Sequence, residues 1–121
     1  MQKYRVKGFT LVEIMIVVAI IGIIIAIAIP SFIRARETSR GRACQENLSK
    51  IDGAKEQYAL DHNLGEGDTI TGDMATLVGP TNYIKSTPTC PAGGTYTVNA
   101  VSTDPVCDYT APTWAPQHVL Q

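Results

Sequence analysis

The chain has 121 residues, of which 45% are hydrophobic and 17% charged, and its formal net charge is −1. This length accommodates one modest domain and argues against a large enzyme with a deep pocket of its own. From Cys44 to Gln121, three lysines and no arginine stand against nine acidic residues, a balance that would repel nucleic-acid phosphates. We therefore expect no enzyme, no cofactor and no nucleic-acid binding by the isolated chain.

The N-terminal segment is basic and then strongly apolar. Three basic residues fall among the first seven, and residues 14–29 are all Ile, Val, Ala, Met or Gly. As a helix, residues 9–29 would be about 31 Å long, enough to cross the hydrocarbon core of a bilayer. Glu13 is the single charge in this stretch, and it is costly in lipid unless it is paired. The pattern predicts a transmembrane helix over residues 9–30 whose carboxylate has a function.

Two simpler interpretations of this segment stay open. One is a conventional secretory signal peptide that is cleaved near residues 26–28, which would release a small secreted protein. The apolar stretch is longer than the apolar region of such signals. The other is a plain membrane anchor, which leaves the acidic residue without an explanation.

The contiguous block KGFTLVE, from Lys7 to Glu13, resembles the class III leader junction of type IV pilins and the related pseudopilins. In that family a short basic leader ends in Gly, the mature chain begins with Phe, and a Glu stands four residues after that Phe. Gly8, Phe9 and Glu13 occupy these positions. The resemblance extends through the apolar helix to Pro30, where the family usually has a helix-bending proline.

The resemblance implies specific roles for these residues. A prepilin peptidase would cleave between Gly8 and Phe9, removing residues 1–8 as a leader, and Phe9 would be N-methylated. Glu13 would pair with the Phe9 amine of a neighbouring subunit during assembly, because two charges that are each costly in lipid offset one another. The alternative for Glu13 is that it extends toward the lipid headgroups without any role in assembly.

The resemblance also implies a function, a location and partners. We expect a structural subunit of a pilus-like filament, in the first place a type II secretion pseudopilin. A type IV pilin of a surface pilus, used in adhesion, motility or DNA uptake, is the alternative. The expected partners are other pilin-like subunits, the prepilin peptidase and methyltransferase, an inner-membrane assembly platform and membrane lipid. The chain would cross the cytoplasmic membrane once, with its C-terminal domain outside the cytoplasm.

The helical pattern changes after the apolar stretch. Pro30 predicts a kink or a local break in the preceding turn, because it lacks a backbone donor and its ring meets the turn before it. Residues 31–62 predict an amphipathic helix that continues into the globular domain. Its apolar residues recur at helical spacings and give one apolar face: Cys44, Leu48, Ile51 and Tyr58.

Residues 63–121 predict a small β domain that is rich in loops. Residues 95–101 and 106–110 have the composition of strands, and the turn-forming residues between them favour an antiparallel hairpin. Asp73 is expected to be the N-cap of a short helix over residues 74–78. The predicted fold class is therefore α+β and pilin-like: a long N-terminal helix, with a transmembrane first half, packed on a small antiparallel sheet with long loops.

The three cysteines allow more than one arrangement. We expect a disulfide between Cys90 and Cys107, which flank the predicted hairpin, with Cys44 as the odd thiol on the helix. A bridge from Cys44 to either of the others is the alternative. A zinc site that adds His118 lacks the short paired spacings of known zinc modules, so we expect no metal there. His62 and His118 are otherwise expected to lie at the surface or at an edge of the domain. Glu66, Asp68 and Asp73 match no EF-hand calcium loop.

Overall fold

The computed structural model describes residues 8–120 and contains two helices and a two-stranded sheet. Helix α1 runs over Leu11–Asp61 and α2 over Asp73–Leu77, and the strands are β1, Tyr96–Thr97, and β2, Val106–Cys107. The chain falls into two compact units that meet in sequence between Ala35 and Arg36. A long apolar N-terminal helix followed by a small antiparallel sheet confirms the α+β, pilin-like fold class.

The first unit consists, in its described part, of residues 8–10 and the beginning of α1. Pro30 lies inside this helix, and the chain is helical on both sides of it. The helix is therefore not broken there, and the expected kink at Pro30 stays a prediction. A proline removes one intrahelical hydrogen bond, and the helical residues before and after it keep the remaining ones.

In the second unit, α1 presents one face to the domain. Its buried residues recur at the predicted helical spacing: Gly41, Cys44, Leu48, Ile51, Ala54, Lys55 and Ala59. Ile51 and Ala54 pack into the larger hydrophobic cluster with Ile70, Leu77 and Val98. The apolar face predicted from Cys44, Leu48 and Ile51 is confirmed, since all three are fully buried.

The hairpin forms where it was predicted but is shorter. Tyr96 pairs with Cys107 and Thr97 with Val106 in an antiparallel register. The first strand ends early because the backbone of Val101 pairs elsewhere: its N–H donates to the Asp68 carbonyl at 2.9 Å, and its carbonyl accepts from Gly67 at 3.0 Å. The acidic loop after α1 therefore takes the backbone hydrogen bonds of Val101 that the second strand would form in a longer hairpin.

Helix α2 begins one residue earlier than expected. Asp73 is its first residue rather than its N-cap, a position that Gly72 occupies in a left-handed conformation with a φ of 91° and without a side-chain hydrogen bond. The expected Asp73 cap is therefore wrong. Glycine adopts this conformation without steric cost, which an aspartate at the same position would incur.

Lys55 is the one buried cation among the described residues, with none of its surface exposed. Its Nζ lies 3.1 Å from Asp52 Oδ1 and donates to the carbonyl oxygen of Thr103, just beyond the turn of the hairpin. A buried ammonium is stabilised only when its donors are satisfied. Lys55 therefore links α1 to the hairpin by charge, within a face that is otherwise apolar.

We expect Lys55→Met to lower the free energy of unfolding by about 1.5–3 kcal/mol, the typical net value of a hydrogen bond to a charged group. Methionine keeps most of the buried volume, so the loss reports the polar contacts. Urea unfolding of the full chain in detergent, followed by near-ultraviolet circular dichroism, measures it. Lys50→Met is the matched control: Lys50 pairs with Glu46 at 2.8 Å on the exposed side of the same helix. An equal effect of both substitutions would contradict the prediction.

Candidate processing, assembly and thiol sites

The predicted cleavage junction lies just before α1. Gly8 and Phe9 are exposed and precede the first helical residue, Leu11. A Cβ added to Gly8 would meet no atom of the described residues, 8–120, within 4 Å. The fold itself therefore does not require glycine at this position, and any such requirement comes from a protein that handles the exposed backbone.

Thr10 caps the helix and thereby positions Glu13. The backbone N–H of Glu13 donates to Thr10 Oγ1 at 3.2 Å, which makes Thr10 the N-cap and Glu13 the third residue of the helix. A Thr followed three residues later by Glu is the sequence signature of a capping box. This contact was not predicted, although the sequence pattern TLVE contains its signature. The carboxylate of Glu13 also lies in the first turn, where the helix dipole favours negative charge.

The first unit exposes a continuous apolar surface. Its large hydrophobic side chains, from Phe9 to Ile33, are each about half exposed or more. By length and composition, α1 is the one helix within residues 8–120 that is apolar enough to cross a membrane. Soluble monomers rarely expose contiguous apolar patches of this size, so such a surface is typical of a membrane or protein contact.

The second unit brings together all three cysteines and a histidine. We call this group the thiol–imidazole cluster; its ligand atoms lie within 4.8 Å of one another, and its members are Cys44, Cys90, Cys107 and His118. All three thiols are free cysteines here. The Cys90–Cys107 disulfide stays a prediction, and so does the alternative bridge from Cys44, whose sulfur lies close to the other two.

The prediction that His118 lies at the surface is wrong. The residue is only 2% exposed, and its Nδ1 lies 3.5 Å from Cys90 Sγ. Its ring also contacts Tyr109, with ring centroids 4.6 Å apart. Burial lowers the pKa of His118, while the Coulombic effect of Glu37 raises it in part, so the neutral imidazole is favoured.

The three thiols differ in their electrostatics. Burial raises the pKa of the Cys44 thiol to about 12, and hydrogen bonding to Tyr96 opposes the rise. Burial likewise raises the pKa of Cys107. The pKa of Cys90 is lowered: burial raises it, but backbone hydrogen bonds from Ala92 and Gly94 and the neighbouring thiols together outweigh burial. Cys90 is thus the member most ready to become a thiolate.

The acidic loop shows a local structural role for Asp68. Its Oδ2 accepts a hydrogen bond from the backbone N–H of Gly65 at 2.7 Å, which closes a turn after α1.

Among residues 8–120, one group of three or more potential metal ligands lies close together, and this group is the thiol–imidazole cluster. The acidic residues considered for calcium, Glu66, Asp68 and Asp73, are not among its members.

Comparison with known proteins agrees with this architecture. The family profile described as the prokaryotic N-terminal methylation motif matches residues 3–29. The type IV wide pilus major component PilA4 of Thermus thermophilus is 33% identical over 84% of this chain and 70% of its own length. Type II secretion system core protein G of Pseudomonas aeruginosa is 31% identical over 79% of this chain and 75% of its own.

A more local match is to the type IV major pilin protein PilA of Myxococcus xanthus, 48% identical over 45% of this chain. The chain spans only 24% of that protein's length. No solved structure matches the chain. In each of the two longer matches, the alignment covers more than two thirds of this chain and more than two thirds of the relative. The chain therefore belongs to the family of type IV pilins and type II secretion pseudopilins.

Proposed function

We propose that this chain is a subunit of a type II secretion pseudopilus, cleaved after Gly8 and assembled through the first part of α1. The observation that carries the proposal is the exposed apolar surface of residues 9–33, which begins directly after the cleavage motif. The surface first spans the cytoplasmic membrane, with the second unit outside the cytoplasm. It then packs against the same surface of other pilin-like subunits.

Apolar packing drives this assembly but does not by itself set its register. Each buried Ile, Val or Phe side chain contributes about 1.5–3 kcal/mol relative to an exposed one in water. In lipid this gain is absent, so subunits associate by close packing and by polar contacts. A stripe made mostly of isoleucine offers many nearly equivalent offsets, and a polar contact is needed to choose one.

The Glu13 carboxylate supplies that contact in the proposal. Cleavage creates a cationic amine on Phe9, which N-methylation keeps protonatable. The carboxylate of one subunit and the amine of its neighbour are each costly in lipid, and they offset one another when paired. The Thr10 cap keeps Glu13 in the first helical turn and so gives the carboxylate a defined place near the new N-terminus.

The pseudopilin assignment is favoured by the small, loop-rich second unit and by the relative named type II secretion system core protein G. The type IV pilin is the second candidate, favoured by the PilA4 relative of similar identity and coverage. Both functions use the same processing and assembly steps. They differ in whether the filament stays in the periplasm or extends from the cell surface, and the assembly platform in the inner membrane differs accordingly.

Deleting the chain in its source organism separates the two candidates. We expect the culture supernatant to lose secreted proteins while surface pili are retained, and the wild-type chain supplied in trans to restore secretion. Supernatant proteomics and electron microscopy of the same cells measure both outcomes. Loss of surface pili with normal secretion would contradict the pseudopilin assignment and support the pilin.

Replacing Gly8 with Leu should leave the leader attached while the chain is still inserted in the membrane. The peptidase must approach the backbone next to the bilayer, and a side chain at this position obstructs that approach. N-terminal sequencing of the membrane-bound protein distinguishes Phe9 from the unprocessed start. Gly53→Leu is the matched control, since Gly53 is also open to solvent but lies in the second half of α1. Normal processing of Gly8→Leu would remove the basis of the peptidase assignment.

Replacing Glu13 with Gln should permit insertion and cleavage but reduce filament yield about tenfold or more, because removing one member of a desolvated ion pair costs several kcal/mol. Gln still serves as the third residue of a capping box, so the change isolates the charge. Filaments are sheared from the cells and quantified against mature subunit in the membrane. Glu46→Gln, on the exposed face of α1, is the control. A wild-type yield from Glu13→Gln would show that apolar packing alone sets the register.

A further inference from the structure

We propose that the thiol–imidazole cluster is a structural zinc site with three thiolate ligands and one imidazole ligand. The inference concerns the second unit alone and is independent of which filament the chain builds. It differs from the disulfide predicted from the sequence, because zinc would use all four side chains whereas a disulfide would use two.

The first argument is the spacing of the ligand atoms. Tetrahedral zinc with ordinary Zn–S and Zn–N bond lengths separates two sulfurs by about 3.8 Å and a sulfur from a nitrogen by about 3.6 Å. Cys90 Sγ and His118 Nδ1 are 3.5 Å apart, and all four ligand atoms lie within 4.8 Å of one another. Small rotamer adjustments would bring the set to the tetrahedral distances, so no backbone rearrangement is required.

The second argument is the enclosure of the sulfurs. Cys44 and Cys90 are buried in one hydrophobic cluster, and Ala92, Cys107 and Tyr109 pack against it. An apolar shell of this kind limits the access of solvent to a metal centre.

A tyrosine hydroxyl also lies beside the cluster. Tyr96 packs against Cys44 and Cys90, and the Asn47 amide donates to its hydroxyl oxygen at 3.1 Å. The hydroxyl accepts that bond with its oxygen, so its own proton remains available to a nearby acceptor such as a thiolate.

The local backbone is shaped around the sulfurs. Gly93 has a φ of 89°, and its N–H donates to the Cys90 carbonyl at 3.0 Å, which closes the turn after Cys90. A Cβ on Gly94 would lie 2.6 Å from Cys107 Sγ, closer than any real contact. Glycine is thus required at both positions: at Gly93 because of the backbone conformation, and at Gly94 because a side chain would collide with Cys107.

The imidazole is brought to the thiols by contacts elsewhere in its segment. Pro116 packs against α1 at Gly41, where a Cβ on the glycine would lie only 3.1 Å from the proline. One residue later in the same segment, the Gln117 carbonyl accepts a hydrogen bond from the Gln45 side chain at 3.1 Å. The Nε2 of His118 is buried without a hydrogen-bond partner in the described chain. A contact at Nε2 therefore cannot be the reason why this polar ring is buried, whereas a ligand bound at Nδ1 would be a reason.

The chemistry balances without any oxidant. Zn²⁺ displaces one proton from each of the three thiols and binds the neutral imidazole, which leaves a centre with one net negative charge and releases three protons. A disulfide, in contrast, requires a two-electron oxidant and leaves the third thiol and the imidazole buried without a covalent role.

A bound ion would also stabilise the second unit. The sheet has only two residues per strand, and the ion would join α1, the hairpin and the C-terminal segment at one point.

The test is the metal content of the full-length chain, purified in detergent with an affinity tag that lacks histidine and without chelators. We expect about one zinc ion per chain by elemental analysis, and three fewer thiols available to an alkylating reagent than after denaturation with a chelator. Replacing the zinc with Co²⁺ should give the visible absorption of a tetrahedral thiolate complex. These measurements need no variant and so hold even where a variant fails to fold.

Variants assign the ligands. Cys44→Ser and His118→Ala should each lower zinc affinity tenfold or more, while His62→Ala, which removes an exposed histidine stacked on Tyr58, should leave one zinc bound. Circular dichroism confirms that each variant is folded. A zinc-free chain, a disulfide between any two of the cysteines by non-reducing peptide mapping, or undiminished zinc binding by both ligand variants would overturn the proposal.

Discussion

The structure depends on one constraint: the first part of α1 carries an apolar surface that stays exposed within residues 8–120. An exposed apolar surface of this extent is typical of a contact with lipid or with other protein chains. In the proposed function, lipid covers it first and other pilin-like subunits cover it afterwards, and the sequence around it fits both environments. A single carboxylate, a threonine cap and the predicted cleavage junction lie within the six residues from Gly8 to Glu13.

The second unit solves a different problem, which is to be stable with little regular structure. Its sheet contains only two residue pairs, so the unit is stabilised by packing against α1 and by a few polar contacts instead of by a larger core. Lys55 joins the helix to the hairpin on one side, and the thiol–imidazole cluster gathers four segments on the other. Long loops are tolerated because they return to α1 at these points.

Local patterns in the sequence predicted the features that depend on neighbouring residues. The transmembrane stretch and the apolar face of Cys44, Leu48 and Ile51 follow from composition and helical spacing, and the cleavage motif rests on the resemblance of residues 7–13 to the pilin leader junction. The Thr10 cap also follows from the pattern TLVE. The length of the hairpin could not be predicted in this way, because Val101 pairs with a loop more than thirty residues earlier. Nor could the burial of His118, since Cys90 lies 28 residues before it in the chain and no periodic pattern records such a contact.

The contact between the C-terminal segment and α1 has a consequence for how the domain is made. Gln45 and Gln117 are 72 positions apart, and Val119 forms a bridge to Val106. Closing so long a loop is entropically costly and slow relative to local contacts. If the second unit is exported as proposed, the helix leaves the membrane long before the segment that packs on it. The domain can then close only after residues 115–119 have also crossed the membrane, so a closed domain would mark the passage of that segment.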